Sequence, residues 1–193
     1  MARQETGRSD AVSWALGICE RTDVLYLDTE TTGLGDGDEV LEIAVLDNTG
    51  RVLLDTLVKP GCVIPRESIA IHGIDEAKVR YAPSWLEVYP LLTELLLSFR
   101  HVVVYNADFD RRLIGQSCSA NALTPPQARW HCAMKRYAAF AGERNPRYGG
   151  YRWVNLGQAV SRLKINVTPD HRAVSDAQAC RAVVHAMASL PTN

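Results

Sequence analysis

Residues 25–33 read Leu25-Tyr26-Leu27-Asp28-Thr29-Glu30-Thr31-Thr32-Gly33, an apolar run that carries two carboxylates two positions apart. In an extended strand, residues i and i+2 project from one face, so Asp28 and Glu30 point the same way. Two acids at the end of a buried strand repel unless a cation or proton lies between them, and the pair calls for a counter-ion. A divalent metal with oxygen ligands is the natural expectation.

Working outward, the Gly-rich residues 32–38 form a tight connection, and residues 40–47 and 52–58 read as strands. Asp47-Asn48-Thr49-Gly50 between them is a hairpin turn, so the first three strands form a meander. Residues 68–75 read as a helical turn ending at Gly73, after which Asp75 caps another short helix. Apolar residues Trp85, Val88, Leu92, Leu95, Leu96 and Phe99 recur at helical spacing, with a bend or interruption expected at Pro90.

Residues 101–106 are a continuous apolar strand of the parallel, doubly covered kind, and a helix opens at Asp108. Residues 121–127 form a Pro-containing loop and 133–140 a helix; 142–152, rich in Gly and Arg, are loop. Helices at 155–163 and 173–190 close the chain, and Ser9-Asp10 caps a short N-terminal helix with Val12, Leu16 and Cys19 on its apolar side. Strands alternating with helices define an α/β fold.

The 193 residues and 47% hydrophobic content suit one domain with a full core. With no run of about 18 apolar residues and a charged N-terminus where a signal peptide needs an apolar one, a cytoplasmic protein is expected. Five scattered cysteines, none in a C-x-x-C pair, speak against both a disulfide framework and a cysteine zinc site. The net charge of -1 hides a polarity: residues 111–165 hold ten Lys/Arg and one acid, Glu143. The acidic remainder can hold cations and the basic segment a polyanion.

Two further acids stand out, Asp110 in Tyr105-Asn-Ala-Asp-Phe-Asp110 and Asp176 in His171-Arg-Ala-Val-Ser-Asp176-Ala. With them the chain resembles the DEDD 3′–5′ exonucleases, in the branch with a catalytic histidine that includes the epsilon subunit of bacterial DNA polymerase III and ribonuclease T. The motif Asp-x-Glu-Thr-Thr-Gly matches at 28–33 and His-x-Ala-x-x-Asp-Ala at 171–177. His-Asn-Ala-x-Phe-Asp matches at 105–110 with Tyr105 in place of His, so the acid carried over is Asp110 and not Asp108. Ile71-His72-Gly73-Ile74 is also common in the family, and the resemblance runs from about residue 24 to 188.

The resemblance implies a ribonuclease H-like fold, with a five-stranded mixed sheet of meander plus parallel strands flanked by helices. Residues 1–22 are then a leader with a short helix and 23–190 the exonuclease domain. The implied activity removes nucleoside 5′-monophosphates from 3′ ends of single-stranded or frayed DNA. RNA trimming, or a noncatalytic nucleic-acid-binding module, are the alternatives. Two divalent ions roughly 4 Å apart neutralise the attacking and leaving oxygens of a phosphodiester. Hard oxygen ligands suit Mg²⁺, with Mn²⁺ as a substitute.

By resemblance, Asp28 bridges both ions, Glu30 and Asp176 hold the one that carries the attacking water, and Asp110 serves the other. His171 is, by the same resemblance, the general base, since an imidazole can accept a proton from water near neutral pH. Leu34 and Phe109 resemble residues that pack on the terminal base, the Thr31 backbone N–H the donor to the 3′-hydroxyl, and His72 a contact to the terminal nucleotide. His101, His131 and His185 read as structural. Tyr148, Tyr151 and Trp153, interleaved with Arg144, Arg147 and Arg152, suit the path of a single strand. A homodimer, as in relatives like ribonuclease T, and a replication or repair partner are further expectations. The chain ends seventeen residues after Asp176, which favours a freestanding nuclease.

Overall fold

The computed structural model describes residues 2–190. Strands β1 (Val24–Thr31), β2 (Val40–Asp47) and β3 (Val52–Leu57) form the expected antiparallel meander. β4 (His101–Val104) and β5 (Arg129–Cys132) continue it in parallel, giving a five-stranded mixed sheet of order β3-β2-β1-β4-β5. β5 has no strand pattern of its own: four residues, Arg-Trp-His-Cys, follow a Pro-containing loop and become a strand because β4 supplies their ladder partners. β2 is buried over almost its full length because both faces of the sheet are covered.

On one face pack α1 (Ala2–Cys19), α6 (Ala133–Ala141), α7 (Leu156–Arg162) and α8 (Ala173–Ser189). On the other lie α4 (Trp85–Phe99) and α5 (Ala107–Ala120). Two short helices, α2 (Arg66–His72) and α3 (Glu76–Val79), cover a smaller cluster around Leu41, Ile64 and Ile74. Gly73 ends α2 in the left-handed conformation and Asp75 caps α3, as the sequence predicts.

α1 is longer than the short helix expected from Ser9. It buries Ala11, Val12, Ala15 and Ile18 and turns Leu16 outward. Its C-terminal end is held from the β2–β3 turn, where the Asn48 amide donates to the carbonyls of Ile18, Cys19 and Arg21. Arg181 of α8 in turn donates to the Asn48 carbonyl, so the turn clamps the first and last helices together.

Pro90 does not interrupt α4, which runs unbroken through it behind a Ser84–Glu87 capping box. Its missing N–H faces the carbonyl of Leu86, and both residues are exposed, so water can satisfy that oxygen.

His101, His131 and His185 are structural contacts, as expected. Trp14 Nε1 donates to His131 Nδ1 at 3.4 Å, which leaves the His131 proton on Nε2, 2.9 Å from His101 Nδ1. Burial, then the charges of His101 and Arg136, push the His131 pKa down to about 4. The folded protein therefore takes up this proton at lower pH than the unfolded chain, and the stability associated with neutral His131 is lost as pH falls from 6.5 towards 4. Urea titrations should show the stability gap between wild type and His131→Gln narrowing over that interval; a constant gap would contradict the assignment.

Candidate active site

The site is built at the carboxyl end of β1, where Thr29 and Thr31 are buried and Asp28 and Glu30, alternating with them, are half-buried. Regular pairing with β2 shifts between Glu30 and Thr31, which re-aims the chain as it leaves the sheet. The turn that follows closes on Asp38, whose carboxylate accepts from Thr32 Oγ1 and Gly35 N, both at 2.7 Å. A Cβ on Gly33 would lie 2.7 Å from the same carboxylate, so this motif position tolerates only glycine without rearrangement.

Asp110 reaches the strand from the first turn of α5 and is 3% exposed. Its Oδ1 accepts from Thr29 N at 3.1 Å and Thr29 Oγ1 at 2.9 Å. Asp108 instead points to solvent and pairs with Lys135 at 2.5 Å. Asp176 lies in the first turn of α8, where its Oδ1 accepts from Asp170 N at 3.1 Å. The exposed His171 has a left-handed backbone at φ 58°, a strained choice for a non-glycine residue. One ligand atom each from Glu30, His171 and Asp176 lie within 4.8 Å of one another.

Burial, then Asp110, Asp176 and Glu30, hold Asp28 well above the usual carboxylate range. Glu30 is pushed up to about 8 by burial and then by Asp176 and Glu42. Burial raises Asp110 to about 7 against the hydrogen bonds from Thr29, and raises Asp176 against the pull of His171. All four acids are thus destabilised as anions, a shared demand for positive charge. Hard carboxylate oxygens fit a divalent cation bound at this place.

The residues expected to touch substrate lie around this end of the sheet. Leu34 is 78% exposed, which excludes core packing, while Phe109 is half-buried. Arg112 ties them together: it donates to the Leu34 and Gly35 carbonyls at 3.1 Å and lies 5.5 Å from the Phe109 ring centre. His72 is 7% exposed, and its Nδ1 accepts from Ile74 N at 3.0 Å. The proton therefore resides on Nε2, a buried donor directed at the Thr31 backbone without a well-formed hydrogen bond. Tyr105 is buried away in the core, its hydroxyl donating to the Val154 carbonyl at 2.9 Å, so its departure from the motif histidine serves packing.

Sequence reading missed Glu42 and Arg172. Glu42 is the cross-strand neighbour of Glu30, 1% exposed, and accepts from both ends of the Arg172 guanidinium and from Ala173 N at 2.9 Å. It thereby anchors the start of α8 beside His171. The signal was present as one acid inside the otherwise apolar run Val40-Leu-Glu-Ile-Ala-Val-Leu.

The matches to known proteins agree with this geometry. Residues 25–184 match the family model described as Exonuclease. The uncharacterized exonuclease CP81 of Escherichia phage 186 is 39% identical over 86% of this chain and 88% of its own length. Exodeoxyribonuclease 10 of Escherichia coli (strain K12) is 32% identical over 78% of this chain, and the match spans 61% of that relative. The structure of Exonuclease X in complex with 5′ overhanging duplex DNA superposes with a TM-score of 0.63 at 28% identity, covering 85% of this chain and 90% of that one. The five-stranded sheet with its flanking helices is the ribonuclease H-like fold of the DEDD nucleases. This chain belongs to the exonuclease family, and its class of chemistry is nucleic-acid hydrolysis.

Because Glu42 acts through the His171 segment, Glu42→Gln should cost about 10- to 100-fold in turnover while leaving KM near wild type, the usual size of an outer-shell effect. Steady-state kinetics with an oligonucleotide decides this, and an unchanged kcat would remove Glu42 from the machinery.

Proposed function

We propose that this chain trims single-stranded or frayed DNA from the 3′ end, releasing nucleoside 5′-monophosphates. The observation that carries the reading is the convergence of Asp28, Glu30, Asp110 and Asp176, all with raised pKa values, beside the exposed His171. Acids held in this way fit two divalent cations, Mg²⁺ or Mn²⁺, which when bound neutralise charge on the attacking and leaving oxygens. In this reading Asp28, Glu30, Asp176 and Asp110, the last oriented by Thr29, would hold the cations.

The remaining roles fall to the chain's own groups. His171, solvent-facing and near Glu30 and Asp176, accepts the proton of the attacking water. His72, packed beside Thr31, contacts the terminal nucleotide, and the Thr31 N–H donates to its 3′-hydroxyl. Exposed Leu34 and half-buried Phe109, braced by Arg112, offer apolar surface to the terminal base. Exposed Tyr148 and Trp153 lie within the basic segment that suits the strand behind it. Among the described residues no helix is long and apolar enough to cross a membrane. A cytoplasmic setting, in keeping with five free cysteines, is part of the proposal. A homodimer and a replication or repair partner are included in the proposal.

Mononucleotide release from matched DNA and RNA oligonucleotides, single- and double-stranded, tests the reading. DNA ends should be trimmed with Mg²⁺, and Asp28→Asn should abolish release. His171→Ala should lower turnover about 10² to 10⁴ fold while Mg²⁺ still binds; wild-type turnover in that variant would remove it as the base. Calorimetry of Mg²⁺ binding in buffers of different ionisation heat should reveal proton release at pH 7. Affinity should climb as pH rises towards 8, because Glu30 and Asp110 must deprotonate to bind. Binding without proton release would place the cations elsewhere.

A further inference from the structure

Two recesses, of about 410 Å³ and 370 Å³, flank α5 on the side turned away from Phe109, and Arg111 and Trp130 line both. Shared walls make them one trough along the edge strand β5, continued by Lys135 and Arg136 of α6. Its charge is unbalanced. Asp108 pairs with Lys135, while no carboxylate forms an ion pair with Arg111 or Arg136 among the described residues.

Lys135 and Arg136 also occupy the opening of α6, which has no acid in its first turn. Cations are disfavoured at that positive end of a helix, and an anion lying in the trough would reverse the penalty. Half-buried Trp130 adds an indole at the junction of the recesses, an aromatic surface of the kind on which bases stack.

The position of the trough follows from α5. Asp110 faces inward to Thr29, Phe109 and Arg112 face Leu34, and Asp108 and Arg111 face the trough. β1, β4 and β5 are parallel, so the first recess, lined by Ala107 and Cys132, opens at the same edge of the sheet as the acids, while the second, lined by Ile114 and Ala128, runs from it toward the amino end of β5. One helix width, about 10–12 Å, separates the trough from Phe109. At the duplex spacing of about 3.4 Å per phosphate that distance takes roughly three nucleotides, and an extended single strand crosses it in fewer.

We propose that the trough is an accessory site for the substrate strand, holding its phosphates on Arg111 and Arg136 and one base on Trp130, up to about three nucleotides back from the 3′ end. It rests on the reading of this chain as a nuclease acting on single strands, and it adds a length threshold to that reading. Charge complementarity and the aromatic platform favour a nucleic-acid strand over an acidic protein segment as the occupant.

The test is metal-free fluorescence anisotropy of the full chain with 5′-fluorescein oligodeoxynucleotides of two, three, four, six and eight residues, in parallel with Mg²⁺-dependent turnover of the same series. Wild type should bind more tightly once length passes about three to four nucleotides. Arg111→Gln/Arg136→Gln should erase that gain, weakening the eight-residue strand about tenfold and lowering its logarithmic salt slope by about 1.4. Binding and turnover of the dinucleotide should be unchanged. Arg111→Gln alone separates this effect from loss of the Arg136 contact over Trp14, which is 5.4 Å from ring centre to guanidinium.

Equal weakening at every length would reduce the effect to general electrostatics and overturn the trough, as would unaltered binding of the longest strand. Competition by poly-glutamate as effective as by the eight-residue strand would assign the trough to an acidic protein. If no oligonucleotide is hydrolysed but the length step appears and is lost in the double variant, the trough stands and the nuclease reading falls.

Discussion

Carboxylates crowded at the end of a buried strand repel one another, and the surroundings of β1 are arranged to hold them there despite it. Two hydrogen bonds from Thr29 fix Asp110, the Asp170 amide fixes Asp176, and the turn closed on Asp38 carries the chain away immediately after Glu30. Each of these contacts offsets part of the cost of keeping anions out of water. None removes it, since all four acids keep raised pKa values. A fold that sought stability alone would neutralise the cluster internally; leaving it short of positive charge creates a place for cations.

Glu30 and Glu42 show how that shortage is distributed. They face each other across β1 and β2, a like-charge pairing that is unfavourable in a sheet. Arg172 pairs with Glu42 through a fork of hydrogen bonds, and Ala173 N adds a further one that fixes the entrance to α8. Among the described residues Glu30 forms no ion pair, and Arg172 is the last and weakest of its influences. One acid of the pair is thereby structural and the other is kept for a ligand. The same ion pair abuts His171, whose left-handed backbone needs neighbours that over-determine it.

The sheet explains why so many separate segments meet. Parallel β1, β4 and β5 deliver their carboxyl ends to one edge, where the connections and helix starts that follow can converge. Open α/β sheets bind ligands at such edges. α5 starts there and divides the surroundings, turning one flank to the acids, one to the Leu34 loop and one to a basic trough.

The amino-acid sequence by itself determined the strands of the meander and most helical segments, because these depend on local spacing: alternation in a strand, which also pairs Asp28 with Glu30, and three-to-four periodicity in a helix. Asp110 and Asp176 are identified only through the resemblance of their motifs to a known family. Sequence did not reveal β5, whose Arg-Trp-His-Cys becomes strand only through its pairing with β4, nor the full length of α1, whose burial depends on α6 and α8. Pro90 looked like an interruption because sequence does not say that the orphaned carbonyl faces water. Glu42 and Arg172 lie 130 residues apart, and Arg111 and Trp130 face one trough only because α5 and β5 pack side by side. Those partnerships are long-range, and tertiary structure alone decided them: a charge needs its counterpart in space, wherever in the chain that counterpart happens to be.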